Sequence, residues 1–357
     1  MSASLAIGLM SGSSLDGVDL ALVRFQSEAG QYRFEILDAD TLPYPTAWEK
    51  RLAEAFHQQP NELAELDKEY GQFLGEQVKL FAKKCHIKPD FVASHGHTIF
   101  HKPEQHFTLQ IGDGQSLADA CGLKVINDFR TEDVSKGGQG APLVPIGDRL
   151  LFADYEACLN IGGIANVSYE ENGHRIAYDI CIANQALNHL AQRKGQNYDK
   201  DGQLAKSGIV DNQLLETLNT HPFYTQTPPK SLGREFFETE QKHLLTSHAT
   251  ADLLATFTEH IAMQIAKAIQ HLPQGKLLIT GGGAFNKHLI EHIQSHTRHQ
   301  VVIPDNQIVA YKEALIFAFL GLLRLGGRTN VLASVTGASS DSCSGRIWTP
   351  NNKLAHF

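Results

Sequence analysis

The chain is predicted to adopt an α/β fold in two related halves, and three observations carry that prediction. First, Ile7-Gly8-Leu9-Met10-Ser11-Gly12-Ser13-Ser14-Leu15-Asp16-Gly17-Val18-Asp19-Leu20 sets two apolar, strand-like runs around a turn of Gly, Ser and Asp, the pattern of a β-hairpin. Second, Leu159-Asn160-Ile161-Gly162-Gly163-Ile164-Ala165-Asn166-Val167-Ser168-Tyr169 repeats the design of strand, glycine turn and strand. Third, short buried strands elsewhere run into polar clusters, the position at which open α/β sheets bind ligands.

Composition sets the bounds. With 357 residues there is length for two domains, each with its own core. An apolar content of 42% and a charged content of 20% are ordinary for a globular protein. The net charge of -8 argues against a nucleic-acid partner, which requires a basic face. No Lys or Arg precedes Arg24, Gly8 and Ser11 break the first apolar run, and Ala314–Leu323 is too short to cross a bilayer. No membrane association and a cytoplasmic location are therefore expected. The five cysteines form no C-x-x-C, which fits reduced thiols, and the histidines form no H-E-x-x-H, so no zinc site is read.

In the first hairpin, Gly12 and Gly17 let the chain approach a ligand closely. Ser11, Ser13, Ser14 and the loop amides around Leu15 and Val18 offer a nest of donors suited to a phosphate. Asp16 or Asp19 would then face a phosphate-bound Mg2+, a hard cation that takes oxygen ligands. The same small residues would equally serve an ordinary tight turn. Tyr32–Leu42 reads as a strand and Thr46–His57 as a helix; from Pro60 a longer helix carries Leu63, Leu66, Tyr70, Phe73, Leu74 and Phe81 as an amphipathic stripe. Three strands then end in Ser94-His95-Gly96-His97-Thr98, in Gly112-Asp113 and in Asn127-Asp128-Phe129-Arg130. His95 and His97 could instead cap a strand, and Asp128 and Arg130 could form a structural ion pair. Lys136–Pro142 is a flexible glycine-rich loop without the P-loop pattern.

In the second half, Arg175–Tyr178 reads as a strand ending at Asp179, a position for a base or a carboxylate approaching Mg2+. The alternative is an Asp that caps the following helix. Pro228–Glu235 is a loop carrying two cations, Lys230 and Arg234, that could meet anionic groups, and Thr250–Leu272 a long helix. The buried strand Leu277–Thr280 runs into Gly281-Gly282-Gly283, a surface open to adenine or its phosphates. Tyr311–Leu325 is apolar almost all round and hence a buried helix. Its one early carboxylate, Glu313, either answers the helix dipole or faces the active site.

These residues resemble the anhydro-N-acetylmuramic acid kinase family of the actin-like sugar-kinase superfamily, almost end to end. The likeness rests on Met10–Asp19, Ser94–Thr98, Leu109–Asp113, Asp128-Phe129-Arg130, Gly137–Pro145, Asn160–Asn166, Asp199–Gly202, Pro229–Glu235, Gly281–Ala284 and Ser334–Ala338. Where many members have Asp-Thr-Gly-Pro-Gly-Asn, this chain has Asp179-Ile180-Cys181-Ile182-Ala183-Asn184. The resemblance implies an α/β, two-lobed, actin-like ATPase (ribonuclease H-like) fold with an interlobe active-site cleft. The lobes are expected at 1–130 and 131–357, with the terminal residues able to pack back on the first.

The implied reaction phosphorylates O6 of 1,6-anhydro-N-acetylmuramic acid with ATP while water opens the anhydro bridge, giving N-acetylmuramic acid 6-phosphate in cell-wall recycling. Carried over, Gly12, Ser13, Ser14, Leu15, Asp16, Gly17, Val18 and Asp19 form the phosphate loop, with Gly162, Gly163 and Gly281–Gly283 also at the nucleotide. Asp16 and Asp19 would reach Mg2+ through water. Asp179 is the base, Glu313 a second carboxylate near the sugar, and His95, Asp128 and Arg130 line the sugar site. The partners expected are ATP and a small amino sugar, with assembly as a homodimer. Two other functions fit the same residues: a kinase acting on a different amino sugar, and a non-catalytic actin-like sensor. The sensor would have no need of a positioned base such as Asp179.

Overall fold

Strand β1 (Ser2–Ser11) alternates its burial between two layers, and that alternation organises the first half of the chain. Ile7 and Leu9 pack with Leu20 and Leu22 against the stripe of the helix Pro60–Cys85, where Leu63, Leu66, Tyr70, Leu74, Val78 and Phe81 are all buried. On the other face Gly8 lies directly under the helix Asn306–Leu325: a Cβ at residue 8 would sit 1.8 Å from the Ala314 carbonyl oxygen. Glycine here is a packing requirement. The computed structural model describes residues 2–12, 15, 17–28, 30–245 and 249–351.

The remaining strands are β2 (Val18–Glu28), β3 (Gln31–Leu42), β4 (Phe91–Ser94), β5 (His97–Lys102), β6 (Phe107–Ile111), β7 (Lys124–Asn127), β8 (Ala157–Ile161), β9 (Ile164–Glu171), β10 (His174–Ile182), β11 (Lys276–Thr280), β12 (Gln300–Val302) and β13 (Arg346–Trp348). The first sheet has the order β13-β7-β4-β1-β2-β3 and the second β10-β9-β8-β11-β12. In the first, β3, β2 and β1 form an antiparallel meander and β4 and β7 follow parallel to β1. In the second, β10, β9 and β8 form the same meander and β11 and β12 follow parallel to β8. The repeated order is that of the ribonuclease H-like, actin-like ATPase fold, built twice. The second core gathers on the helix Thr250–Ile269 through Leu253, Leu254, Phe257, Ile261, Ile265 and Ile269.

The chain divides into two compact units, Met1–Leu151 with Tyr311–Phe357, and Phe152–Ala310. The boundary expected from sequence was at residue 130. Residues 131–151 and 311–351 join the first unit because their partners are there: β13 pairs with β7, Gln139 N–H donates to Thr336 O, and Trp348 Nε1 donates to Asn127 Oδ1 at 2.8 Å. Two further details differ from expectation. β6 pairs with β5 in a two-stranded ribbon instead of joining the main sheet, so only β4 and β7 carry their polar ends to the carboxyl edge beside β1. The buried helix begins at Asn306, with a non-helical residue at Tyr311 (φ -116°, ψ 16°). No helix among the described residues is long and apolar enough to cross a membrane.

One ion pair of the first unit is buried: Lys312 Nζ lies 2.7 Å from Asp148 Oδ1, with side chains only 6% and 5% exposed. Breaking a buried pair by removing one partner costs about 3–5 kcal/mol. Lys312→Met should therefore lower the unfolding free energy by that amount in urea titration. A loss under about 1 kcal/mol, the range of exposed pairs, would show that this pair contributes little to the stability of the fold.

Candidate active site

Because β1, β4 and β7 run parallel, Ser11, Ser94 and Asn127 end at one edge of the first sheet. A cavity of about 290 Å3 opens there, lined by Ser11, Gly12, Leu15, His95, His97 and Thr98 among others. Arg130 Nη2 donates to His95 Nε2 at 2.8 Å, so His95 carries its proton on Nδ1 and donates it to Gly96 O at 2.9 Å. Burial, reinforced by the Arg130 charge, lowers the His95 pKa to about 3, so the ring is neutral. Arg130 Nη1 donates to Gly140 O at 3.0 Å, and its buried Nε has no hydrogen-bond partner among the described residues. Burial lowers the Arg130 pKa to about 10, which still leaves it charged at neutral pH.

Glu313 belongs to the same group. Burial raises its carboxyl above the ordinary glutamate range; Lys312 and Arg130 act to lower it, while Asp19 and Asp148 add to the rise. Asp19 Oδ1 accepts from Thr41 Oγ1 at 2.6 Å, one residue across the β2–β3 ladder. His95 and Arg130 are in direct contact, and Glu313 feels the charges of Arg130 and Asp19. Asp128 does not join them. It sits in a left-handed turn (φ 58°) after β7, and its carboxylate pairs with Arg346 Nε of β13 at 3.1 Å. Neither the sugar-site placement expected of Asp128 nor the alternative ion pair with Arg130 is what the carboxylate makes here; its partner is Arg346.

Within the first hairpin, Gly17 is explained by packing, since a Cβ there would lie 2.5 Å from Leu42 O, and Val18 is a core residue. Gly12 and Leu15 line the cavity. Ser13, Ser14 and Asp16 lie outside the described residues. Sequence reasoning missed the chain behind the cavity: His97 Nδ1 bonds Ser11 Oγ at 2.9 Å, Ser11 Oγ bonds Tyr44 OH at 2.7 Å, and Tyr44 OH bonds Tyr70 OH at 2.5 Å. His97 could have been singled out from its place two residues after His95. Tyr44 and Tyr70 carry no local signal.

In the second unit the ladders align Asp179 with Asn166, Asn166 with Asn160, and Asn160 with Thr280, a polar row across four strands. The strand does not end at Asp179 as expected; β10 continues to Ile182 through a bulge between Asp179 and Cys181. Asp179 is not a helix cap either, because the helix Asn184–Gln192 begins from Ala183. Its Oδ2 accepts the Leu232 N–H at 2.9 Å. Burial raises its carboxyl above the usual aspartate range, against the lowering effect of that amide.

The glycines separate by cause. Gly281 has φ 82° and would bring a Cβ to 2.5 Å from Asn160 Oδ1; at Gly283 a Cβ would meet Ile161 Cγ2 at 2.3 Å. Both are required by the fold. At Gly162, Gly163 and Gly282 a Cβ would meet nothing closer than 3.7, 3.8 and 3.6 Å, and φ is not left-handed. The protein's own packing does not demand glycine at these three, which leaves room beside the backbone for a ligand. The turn is fixed from behind: Asn184 N–H donates to Gly162 O at 3.1 Å and Ala183 and Gln185 N–H donate to Gly163 O. Next to Gly282 lies a cavity of about 320 Å3 lined by Asn184, Leu187, Tyr198, Phe285 and Asn286 among others, with Tyr198 60% and Phe285 47% exposed.

A ribonuclease H-like sheet built twice, with open glycine turns and carboxylates of raised proton affinity, is the framework of an ATP-dependent sugar kinase of the actin-like class. A sequence model of the anhydro-N-acetylmuramic acid kinase family matches residues 4–350. The chain belongs to that family. It is 34% identical to the anhydro-N-acetylmuramic acid kinase of Mannheimia succiniciproducens, covering 96% of this chain and 98% of that one. It is 36% identical to the enzyme of the same name from Vibrio cholerae, covering 97% and 99%. Among solved structures, (R)-2-hydroxyglutaryl-CoA dehydratase component A from Acidaminococcus fermentans gives a TM-score of 0.44 at 14% identity, covering 88% of this chain and 96% of that one.

Proposed function

We propose that the chain transfers the γ-phosphoryl group of ATP to O6 of 1,6-anhydro-N-acetylmuramic acid as water adds to the anomeric carbon, yielding N-acetylmuramic acid 6-phosphate in peptidoglycan recycling. The observation that carries this reading is Asp179, a carboxylate of raised proton affinity paired with Asn166 just before the bulge in β10, in a chain of this family. In the reaction the C1–O6 bond breaks, O6 takes the phosphoryl group, the water oxygen bonds C1, and Asp179 accepts the water proton.

The other residues fall into supporting roles. Gly162, Gly163, Gly282 and Gly12 let backbone amides approach the phosphates, and Tyr198 and Phe285 flank the pocket that would take adenine. His95 presents a neutral ring, and Arg130, with a buried Nε–H to spare, suits the carboxylate of the sugar's lactyl group. Glu313 is held close to Arg130 and suits a sugar hydroxyl. Bound Mg2+ would neutralise charge on the transferring phosphates. Among the described residues no three His, Cys, Asp or Glu side chains form a metal cage. Asp19 is the described carboxylate that would face the ion through water. The setting this implies is the cytoplasm.

Mass spectrometry of the rapidly quenched product formed in ¹⁸O water tests the reading. One ¹⁸O atom at the anomeric position should enter per phosphate transferred, and none without ATP. A phosphorylated product free of label would replace this reaction with plain phosphorylation of an unbridged amino sugar.

A further inference from the structure

Lys230 stands out among the basic residues of the second unit. It is half-buried and forms no ion pair among the described residues. Its Nζ donates to Phe223 O at 3.2 Å and lies 4.6 Å from the centroid of the Phe223 ring and 5.6 Å from that of Tyr178. A partly desolvated ammonium held by one carbonyl and two ring faces is costly to keep unless its placement serves something.

What it serves is visible in the main chain. The β9–β10 ladder is interrupted by the bulge just after Asp179, and the Asp179 N–H is taken by Lys230 O at 3.2 Å. Two residues on, the Leu232 N–H holds the Asp179 carboxylate. The segment 230–232 therefore grips both the backbone and the side chain of Asp179, and two side chains tie it down, Lys230 on Phe223 and Leu232 on the second core. The lysine's anchor is stiff. Phe223 lies in a turn (Pro222–Thr225) whose neighbour Tyr224 bonds Gln241 Nε2 and buried His260 Nε2, each at 3.1 Å, and His260 Nδ1 bonds Asn219 Oδ1 at 2.8 Å.

We propose that Lys230 is a positioning residue for Asp179, clamping the 230–232 loop so that the carboxylate is fixed and shielded from bulk water. The proposal rests on the reading of Asp179 as the base. It departs from the expectation that Lys230 meets an anionic ligand. The charged or titratable groups around the clamp are Lys267 on the helix Thr250–Ile269, the Cys181 thiol, and the phenols of Tyr178 and Tyr224.

The test compares Lys230→Met, Lys230→Arg and Asp179→Asn in steady-state kinetics across pH. A loosened base is misplaced rather than lost, so Lys230→Met should lower kcat by about 10–100-fold with KM for ATP and sugar nearly unchanged. Releasing the loop removes both the burial that raises the Asp179 pKa and the amide bond that lowers it. Burial is the larger influence, so the acid limb of the kcat profile should move to lower pH. Lys230→Arg should recover most of kcat, since a guanidinium can also bond a carbonyl and stack on a ring. If Lys230→Met does not fold, Phe223→Leu removes one ring face and should give the same shift at smaller size. A folded Lys230→Met enzyme with normal kcat and an unmoved acid limb overturns the proposal. So does a raised KM for either substrate with the acid limb in place, which would make Lys230 a ligand-binding cation. Near-normal turnover in Asp179→Asn would instead remove the base itself, whatever Lys230 does.

Discussion

Asp179→Asn should lower kcat by about 10²–10⁴-fold, the range over which a positioned general base acts, while the affinities for ATP and sugar stay close to wild type. The amide keeps the size of the side chain and still accepts the Leu232 N–H; only basicity is lost. The pH profile should change with it. A base must be deprotonated to act, and burial raises the folded pKa of Asp179, so wild-type kcat falls as pH drops through that raised value. In the asparagine enzyme that limb should be gone. Stability should move the other way from activity. A carboxyl whose pKa is higher folded than unfolded disfavours folding once it ionises, at neutral pH and above its unfolded pKa. Removing the charge should leave Tm unchanged or raise it. A stable asparagine enzyme with near-normal turnover would transfer the role to Glu313, whose carboxyl is raised as well.

The second large effect is expected at Gly163. Nothing of the protein lies within 3.8 Å of a Cβ there, and the backbone is not left-handed, so Gly163→Val should fold with a Tm close to wild type. If a phosphate occupies that space, the branched side chain displaces it, and the Kd for nucleotide should rise by more than about 100-fold, or about 3 kcal/mol. Gly283→Val is the contrast. There a Cβ would strike Ile161, so lost binding would come with a lost fold. Calorimetric titration beside thermal melting separates the two, and normal nucleotide affinity in folded Gly163→Val would take the second hairpin out of the phosphate site.

Much of this was legible in the chain because it depends on local pattern. The hairpins, the helix stripe from Leu63 to Phe81 and the strand before Gly281 are periodicity and turn chemistry, and each lies where the residues put it. What sequence could not supply was partnership across long separations. Asp128 looks like a neighbour for Arg130 until β13 brings Arg346 to it from 218 positions away in the chain. Tyr44 and Tyr70 extend the Ser11–His97 pair only because the loop after β3 and the long helix meet at the Ser11 hydroxyl's partner, Tyr44 OH. Asp179 reads as a strand end because bulges have no reliable local signature. The seven glycines read alike differ in setting: a Cβ at Gly17, Gly281 or Gly283 would strike the protein, one at Gly162, Gly163 or Gly282 would not, and Gly12 lines the cavity beside His95.

The interleaving of the two units also sets the order in which a ribosome can deliver them. Residues 152–310 are contiguous and can bury their core as soon as they emerge. The first unit begins earlier but finishes last, because Gly8 waits for Ala314 and β7 waits for β13. Until some 300 residues have followed it, the face of β1 that carries Ala6 and Gly8 has no cover of its own. Strand β1 is thus among the last strands of its unit to be sealed during synthesis, and its uncovered face is where a nascent chain is open to chaperone capture or misassembly.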